Sequence, residues 1–521
     1  PDLELTLLIF DGRKKKLKVT IFQKIFKVLK QKNSIAIILL KIQELFENKL
    51  FKLKQTVDKK NLIRELSSVE KIFLYPKRKG FLDIFSDIES KQIGDYKLNI
   101  LLRHEFDIIR GDILNCTSHG IWSFHHGDNR VNRGGPSCFW EIVLNQKSIG
   151  VTLQKLTSEL DGGFVIDRGY YNKHWSWIKS KNQILESSFT LLTKNLNRLK
   201  NKKINFEEPS SYYYKLYKQP NLVFVLKYLF LFYISAVRII IRKLEYYILG
   251  IRDSCWTLII SKGNLSNSVL FRLKPVVTPK NEFWADPFIV SNNNKNYVFF
   301  ENYNYKTKKG KISCGKIDDF KLIEIQDVLE KQYHLSYPFV FREDNNLFLM
   351  PETAENNRLE IYKCISFPNK WELYSTGFIG EKILDCSIYE DEIKQKWLFL
   401  NKKTPNSDGC SDLYIYLIDS LKLDKITPHH DNPVITNSSL GRNAGPIFKE
   451  KGKVFRPSQI NIDGVYGKGL NINEIIKLNL DDYKEINSKT YFPFFKEKLK
   501  GIHHLDQKDN LFVTDICFSK K

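Results

Sequence analysis

The sequence has no Cys-x-x-Cys pair: its eight cysteines, at 116, 138, 255, 314, 364, 386, 410 and 517, match no thiolate metal spacing, so no metal centre is expected. They read as buried free thiols in a reducing compartment. Methionine is almost missing, Met350 standing alone. No charged segment followed by an apolar run and a cleavage site opens the chain, which points away from secretion and toward the cytoplasm. Also lacking is a run of about 20 uncharged apolar residues, the length that crosses a bilayer. The nearest approach, NLVFVLKYLFLFYISAVRIIIRKLEYYIL from Asn221, is broken by Lys227 and Arg238, so a packed or interfacial helix is expected there. Motifs that read RNA or DNA are lacking too. The net charge of +23, from 82 Lys+Arg against 59 Asp+Glu, therefore implies no nucleic-acid partner, and scattered lysines of this kind also arise from an AT-rich genome. Peripheral contact of residues 221–249 with the inner face of a membrane stays open.

What is present is ample material for burial. The chain has 521 residues, 42% hydrophobic and 13% aromatic, enough for two to four globular units. The first part alternates apolar runs with lysine-rich helical stretches. Leu98 to Leu102 and Gly120 to Phe124 read as buried parallel strands around a short helix, an α/β texture. From about Glu282 a repeat emerges: ADPFIVSNNNKNYVFFEN, SYPFVFREDNNLFLMPET, LDCSIYEDEIKQKWLFLNKK, AGPIFKEKGKVFRPSQ and HHLDQKDNLFVTD. Each unit gives a small or polar residue, an apolar strand, a polar turn and a second strand with a polar end. The period from Asp286 to Tyr337, Asp385, Gly445 and His503 is about 50 to 60 residues, that of propeller blades. The expected fold is therefore multidomain: a Rossmann-like α/β domain at 1–205, a helical linker at 206–265 and an all-β five-bladed propeller at 266–521.

In a propeller the inner strand of each blade lines the axis. Asp286, Tyr337, Asp385, Arg442 with Asn443, and His503 or His504 are expected at one funnel, with Glu301, Glu352, Arg456 and Gln459 near it.

The second candidate is WSFHHGDNRVNRGGP, Trp122 to Pro136. His125 and His126 would leave a strand on opposite faces, which disfavours a dihistidine metal site. A histidine at the C-terminal end of a parallel strand is where α/β proteins handle ligands, so His125 leads. His126, Asp128, Asn129, Arg130 and Arg133 could bind a phosphate or carboxylate; alternatively Asp128 and Arg133 pair and pin the loop.

Arg133-Gly134, Gly150-Val151-Thr152 and Leu160-Asp161-Gly162-Gly163 follow in an order that resembles the folate-dependent formyltransferases, across roughly residues 95 to 170. That resemblance implies 10-formyltetrahydrofolate as cofactor, His125 as base or polarising group and Asp161 as its orienting partner. The family's asparagine is replaced by Ser123, which donates one hydrogen bond fewer to a developing oxyanion.

The repeats WADPFI…YVFFEN, YPFVF and RNAGPIF…FRPSQ…YGKGL resemble glycosidase and fructosyltransferase propellers and the N-terminal region of plant glucosamine inositolphosphorylceramide transferases. By repeat position Asp286 matches the glycosidase base or nucleophile and Asp385 the aspartate that tunes pKa. Glu352 or Glu301 could approach as the acid.

Three functions compete. The leading one is a carbohydrate-modifying enzyme of glycan biosynthesis that transfers a formyl group to an amino sugar while the propeller recognises the glycan. The others are propeller-catalysed glycoside cleavage or glycosyl transfer, and glycan binding without catalysis. The expected partner in each is a carbohydrate, as sugar nucleotide or lipid-linked glycan; the sequence leaves the oligomeric state unset.

Overall fold

A parallel strand pair needs a crossover of a dozen or more residues. The N-terminal half provides one between β1 (Leu7–Asp11) and β2 (Glu70–Leu74), filled in part by helix α1 (Ser34–Leu50), and another between β3 (Leu101–Leu102) and β4 (Ile121–His125). The chain then reaches β5 (Ser148–Lys155) through helix α2 (Phe139–Val143), which has only 5 residues. So short a helix does not carry the chain across the sheet, and β5 returns antiparallel to β4 with His125 opposite Thr152. With β6 (Phe164–Asn172) the order is β6-β5-β4-β3. The expected parallel Rossmann-like sheet is thus corrected to a mixed one. Helices α3 (Trp177–Lys200) and α4 (Leu222–Leu249) follow. The computed structural model describes residues 3–13, 33–52, 59–104, 106–159, 162–208, 215–405 and 407–519, and the chain divides into two compact units inside α4, between Tyr233 and Ile234.

Among its described residues the second unit contains five antiparallel sheets in chain order. Strand β7 (Cys255–Lys262) comes first and belongs to the last of them. The first sheet is β8 (Glu282–Asn292), β9 (Lys295–Asn304), β10 (Lys309–Asp318) and β11 (Lys321–Leu329). The second is β12 (Ser336–Glu343), β13 (Asn346–Glu352), β14 (Leu359–Ser366) and β15 (Lys370–Gly377). The third runs β16 (Ile383–Glu390), β17 (Lys396–Lys402), β18 (Asp412–Ile418) and β19 (Ile426–Pro428). The fourth is β20 (Phe448–Glu450), β21 (Lys453–Ile462), β22 (Val465–Leu478) and β23 (Tyr483–Tyr491). In the last, β26 (Leu511–Phe518) pairs with β24 (Leu499–Gly501), β25 (Leu505–Lys508) and β7. This is the chain-order arrangement of propeller blades. It begins at Cys255, inside the stretch expected to be linker, because β7 is zipped to β26 from Cys255–Phe518 to Lys262–Leu511.

Turn chemistry fixes the hairpins. Asn293–Asn294, Asp344–Asn345, Lys451–Gly452 and Asp509–Asn510 all take positive φ, the two-residue turn whose twist matches that of antiparallel strands. Each sets the register at once, with Asn292 facing Lys295, Glu343 facing Asn346, Glu450 facing Lys453 and Lys508 facing Leu511. Between the sheets lie apolar layers such as Phe288, Phe339, Met350, Ile361 and Leu398, all buried.

A second device recurs deeper in the sheets. The pairing slips between Ala285 and Phe288, between Ser336 and Phe339, and between Leu384 and Ser387, and at each slip one residue is left-handed: Asp286 (φ 51°), Tyr337 (43°) and Asp385 (42°). A left-handed non-glycine residue costs about 1 kcal/mol or more. Gly445 holds the related place before β20 with φ 133°, and a Cβ there would lie 2.0 Å from the Leu505 carbonyl oxygen. Gly445→Ala is therefore expected to destabilise the protein by about 3 kcal/mol or more, read as a lowered midpoint in urea unfolding followed by tryptophan fluorescence.

Candidate functional sites

The bulges aim side chains from different sheets at one centre. Each also leaves an amide that a neighbouring sheet satisfies. The Asp286 N–H donates to Asp515 Oδ2 at 3.0 Å, that of Tyr337 to Asp286 Oδ2 at 3.3 Å, and that of Asp385 to Glu352 Oε2 at 3.4 Å. The Gly445 N–H donates to the Tyr337 hydroxyl at 2.9 Å.

Around this frame the expected funnel residues fall into two linked groups. In one, Arg442 grips Asp385 through Nε (2.6 Å) and Nη2 (3.2 Å) and lies 3.6 Å from Glu352. Gln459 donates to Asp385 Oδ2 at 3.2 Å, and the Asn443 amide to the Asp385 carbonyl at 2.8 Å. In the other, His503 Nδ1 lies 2.7 Å from Asp515 while its Nε2 is 3.8 Å from Asp286; its ring stacks on Trp256 at 3.9 Å. His504 Nδ1 is 3.6 Å from Asp286, and its ring packs against Phe288 and Tyr337. Arg456 stands apart as a strut: fully buried, it pairs with Glu485 at 2.7 Å and reaches Asn443 Oδ1 at 3.1 Å.

Three members were not expected from the sequence. Asp515 is one, although in the sequence it is the polar residue at the close of the fifth repeat, as Glu301, Glu352 and Gln459 are near the close of theirs, which is the signal that could have found it. Asn401 is another; it faces Leu384 across the ladder and accepts the Asn443 N–H at 3.1 Å. Tyr466, half-exposed under the Arg442 guanidinium at 5.3 Å, follows no repeat.

Acids outnumber cations here. Asp286, Glu352, Asp385 and Asp515 meet Arg442 and His503, while Glu301 lies 3.5 Å from His334 Nε2, an imidazole that burial lowers. Burial, and the mutual repulsion of the acids behind it, pushes Glu301 and Glu352 well above the usual carboxyl range. Burial likewise raises Asp286 to about 7, with His503 opposing and Asp385 and Asp515 adding to the rise. Burial would lower His503, but Asp515 and Asp286 outweigh it and raise the imidazole above its ordinary value, which favours the cationic form. The reciprocal effect of His503 overcomes burial at Asp515 and lowers it. Burial keeps His504 neutral, down to about 3. The Asp286, His503 and Asp515 ligand atoms lie within 4.8 Å of one another, so these three could also hold a metal ion.

The N-terminal candidate is assembled differently. His125 ends β4, and its Nε2 is 2.8 Å from the Asn132 carbonyl oxygen. The loop between them is laid on β5: Thr152 Oγ1 donates to the Gly127 carbonyl at 3.0 Å, and a Cβ on Gly150 would meet Asp128 at 2.7 Å. Asp128 pairs with Arg130 at 3.0 Å, where a pair with Arg133 was the structural expectation. Asn129 is buried and accepts from Arg168 at 3.4 Å; Arg133 lies in a two-residue strand beside Leu216–Tyr217. His126 is lowered to about 4 by burial, with His125 and Lys181 adding to the effect, and is therefore neutral. Ser123 is buried with its hydroxyl 3.5 Å from the Phe124 carbonyl. Asp161 lies outside the described residues, so its expected meeting with His125 has no geometry here.

Comparison with known proteins follows this division. Residues 266–509 match the family described as glucosamine inositolphosphorylceramide transferase 1, N-terminal. The chain is 32% identical over 209 residues to glucosamine inositolphosphorylceramide transferase 1 of Oryza sativa subsp. japonica, covering 39% of this chain and 28% of that protein. With its counterpart from Arabidopsis thaliana it shares 30% over 242 residues, 43% of this chain and 30% of the other. The chain thus spans less than a third of the length of these curated relatives. Among solved structures, CoXyl43, a GH43 β-xylosidase/α-arabinofuranosidase from a compost microbial metagenome, aligns at TM-score 0.34 and 11% identity over 46% of this chain and 87% of its own. The formyltransferase PseJ from Anoxybacillus kamchatkensis aligns at TM-score 0.25 and 18% identity over 33% of this chain and 87% of its own.

Asp286 yields a direct test. Its folded pKa, about 7, exceeds the ordinary carboxylate value near 3.8, so its stabilising proton is fully held below pH 4 and lost as pH rises through 7. Asp286→Asn should melt higher than the parent at pH 8, with the gap shrinking steadily toward pH 4. Melting curves by calorimetry across that range check it.

Proposed function

We propose that this chain is a carbohydrate-modifying transferase of glycan biosynthesis whose acidic centre binds an amino sugar. One observation carries this reading: the buried or nearly buried acids Asp286, Glu352, Asp385 and Asp515 share two cations, Arg442 and His503, with Glu301 beside them, and the shortage drives Glu301 and Glu352 to hold protons and leaves Asp286 poised near neutrality. A ligand ammonium would supply the missing charge, and Arg442, Gln459 and Tyr466 offer donors and an aromatic face to sugar hydroxyls and ring. The name of the family that matches residues 266–509 contains both an amino sugar and an inositolphosphoryl lipid, which agrees with a lipid-linked acceptor.

The same centre has the parts for glycosyl transfer. Glu352, kept protonated, gives its proton to the leaving oxygen as the anomeric bond breaks. Asp286, poised near neutrality, takes the proton of the acceptor hydroxyl as the new bond forms. Asp385, fixed by Arg442, orients the sugar.

A second reading, formyl transfer from 10-formyltetrahydrofolate to the same class of amino sugar, is favoured by His125. It stands at the C-terminal end of the parallel β3–β4 pair, with its ring fixed by the Asn132 carbonyl.

Calorimetric titration separates these readings. Glucosamine is expected to bind about tenfold or more tighter than N-acetylglucosamine, as befits a charge-assisted contact, and Glu352→Gln should erase that preference. Equal affinities would overturn the amino-sugar reading, and calcium binding without any sugar preference would make the centre a metal site. A flat isotherm with a stable 10-formyltetrahydrofolate analogue would remove the second reading.

A further inference from the structure

Helix α4 is long and apolar enough by composition to cross a membrane, yet only 17% of its most apolar window is buried. Its inward face is narrow: Val225, Tyr228 and Phe232 are its buried residues. Tyr228 anchors that face, donating its hydroxyl proton to Glu47 at 2.5 Å and accepting the Trp177 N–H at 2.9 Å, while Phe232 packs on Phe46. On the far side Val223, Leu226, Phe230, Val237, Ile240 and Ile248 recur at helical spacing, exposed by 70%, 51%, 65%, 51%, 56% and 74%. At 100° per residue they fill one stripe about 100° wide. Exposed Lys227 and Arg238 run along one edge of it with Arg242, which is paired to Asp253.

We infer that this stripe lies in the headgroup layer of an anionic membrane, with the helix parallel to the surface. The charge arrangement selects this occupant. An apolar sector edged by Lys and Arg fits acyl chains below and acidic headgroups beside it. A seam between two copies of α4 would be narrower and flanked by balanced charges, whereas here Lys227, Arg238 and Lys243 outnumber the one acid of that edge, Glu245, and Ile234, Ala236 and Ile241 widen the apolar face. Two features of the helix weigh against crossing the bilayer: its first half is fastened through Tyr228 and Phe232, and the remainder, from Ile234 to Leu249, holds Arg238, Arg242, Lys243 and Glu245. The inference is independent of the sugar-site reading and places the protein where a lipid-linked substrate would be found.

Flotation of the full chain with vesicles tests it. Binding is expected to phosphatidylcholine vesicles containing phosphatidylglycerol, to weaken by about tenfold or more on phosphatidylcholine alone, and to fall as salt is raised. The doubly substituted Phe230→Asp, Ile241→Asp chain, altered only at a half-buried or exposed surface and checked for an unchanged melting curve, should stay with the soluble fraction. No flotation, together with a dimer in light scattering that Ile241→Asp dissociates, would overturn the inference in favour of a second copy. Flotation that resists an alkaline carbonate wash would overturn it in favour of insertion.

Discussion

Each left-handed bulge leaves an amide that needs an acceptor, and in this array the acceptor comes from another sheet. Asp515 serves Asp286, Asp286 serves Tyr337, Glu352 serves Asp385, and the Tyr337 hydroxyl serves Gly445. An unsatisfied buried amide costs about 1 to 3 kcal/mol, so these side chains hold the sheets in place as well as line the centre. Architecture and candidate chemistry therefore share the same atoms. Truncating one of these acids would loosen the join between two sheets at the same time as it changed the site.

The electrostatics of the centre run against those of the whole molecule. A chain of net charge +23 gathers acids at the middle of its β unit, where Arg442 and His503 are the cations paired with them. Protonation of Glu301 and Glu352 makes up the deficit. Among its described residues the N-terminal candidate differs: Asp128 is paired with Arg130, His126 is neutral through burial, and Glu141 alone is an acid raised by burial.

The β half was legible because its strands alternate with period two and its turns carry dipeptides suited to positive φ, such as Asn293–Asn294 and Asp344–Asn345. The bulges were half-visible: Asp-Pro, Tyr-Pro and Gly-Pro open three of the units, which marked Asp286, Tyr337 and Gly445 without revealing that a left-handed residue does the aiming. Asp515 escaped because a lone acid in LFVTDICF looks like the end of a strand. Its partner in the centre, His503, is set beside it by pairing across the sheet. Tyr466 sits in the glycine-rich DGVYGKG and repeats nowhere. In the α/β half the run SIGVTLQK fits a parallel or an antiparallel strand equally; direction was decided by the brevity of the helix before it, a length that composition does not reveal.

The zipper between β7 and β26 bears on biogenesis. Within the β unit, the strand that leaves the ribosome first must wait, edge open, for the one that leaves last, and four complete sheets form in between. Until that late partner arrives, the alternating apolar run of Cys255 to Lys262 is an unpaired ribbon of the kind that recruits foreign strands. A cell making this protein would be expected to shield that segment during translation, and truncated chains lacking the final strand should be prone to aggregate.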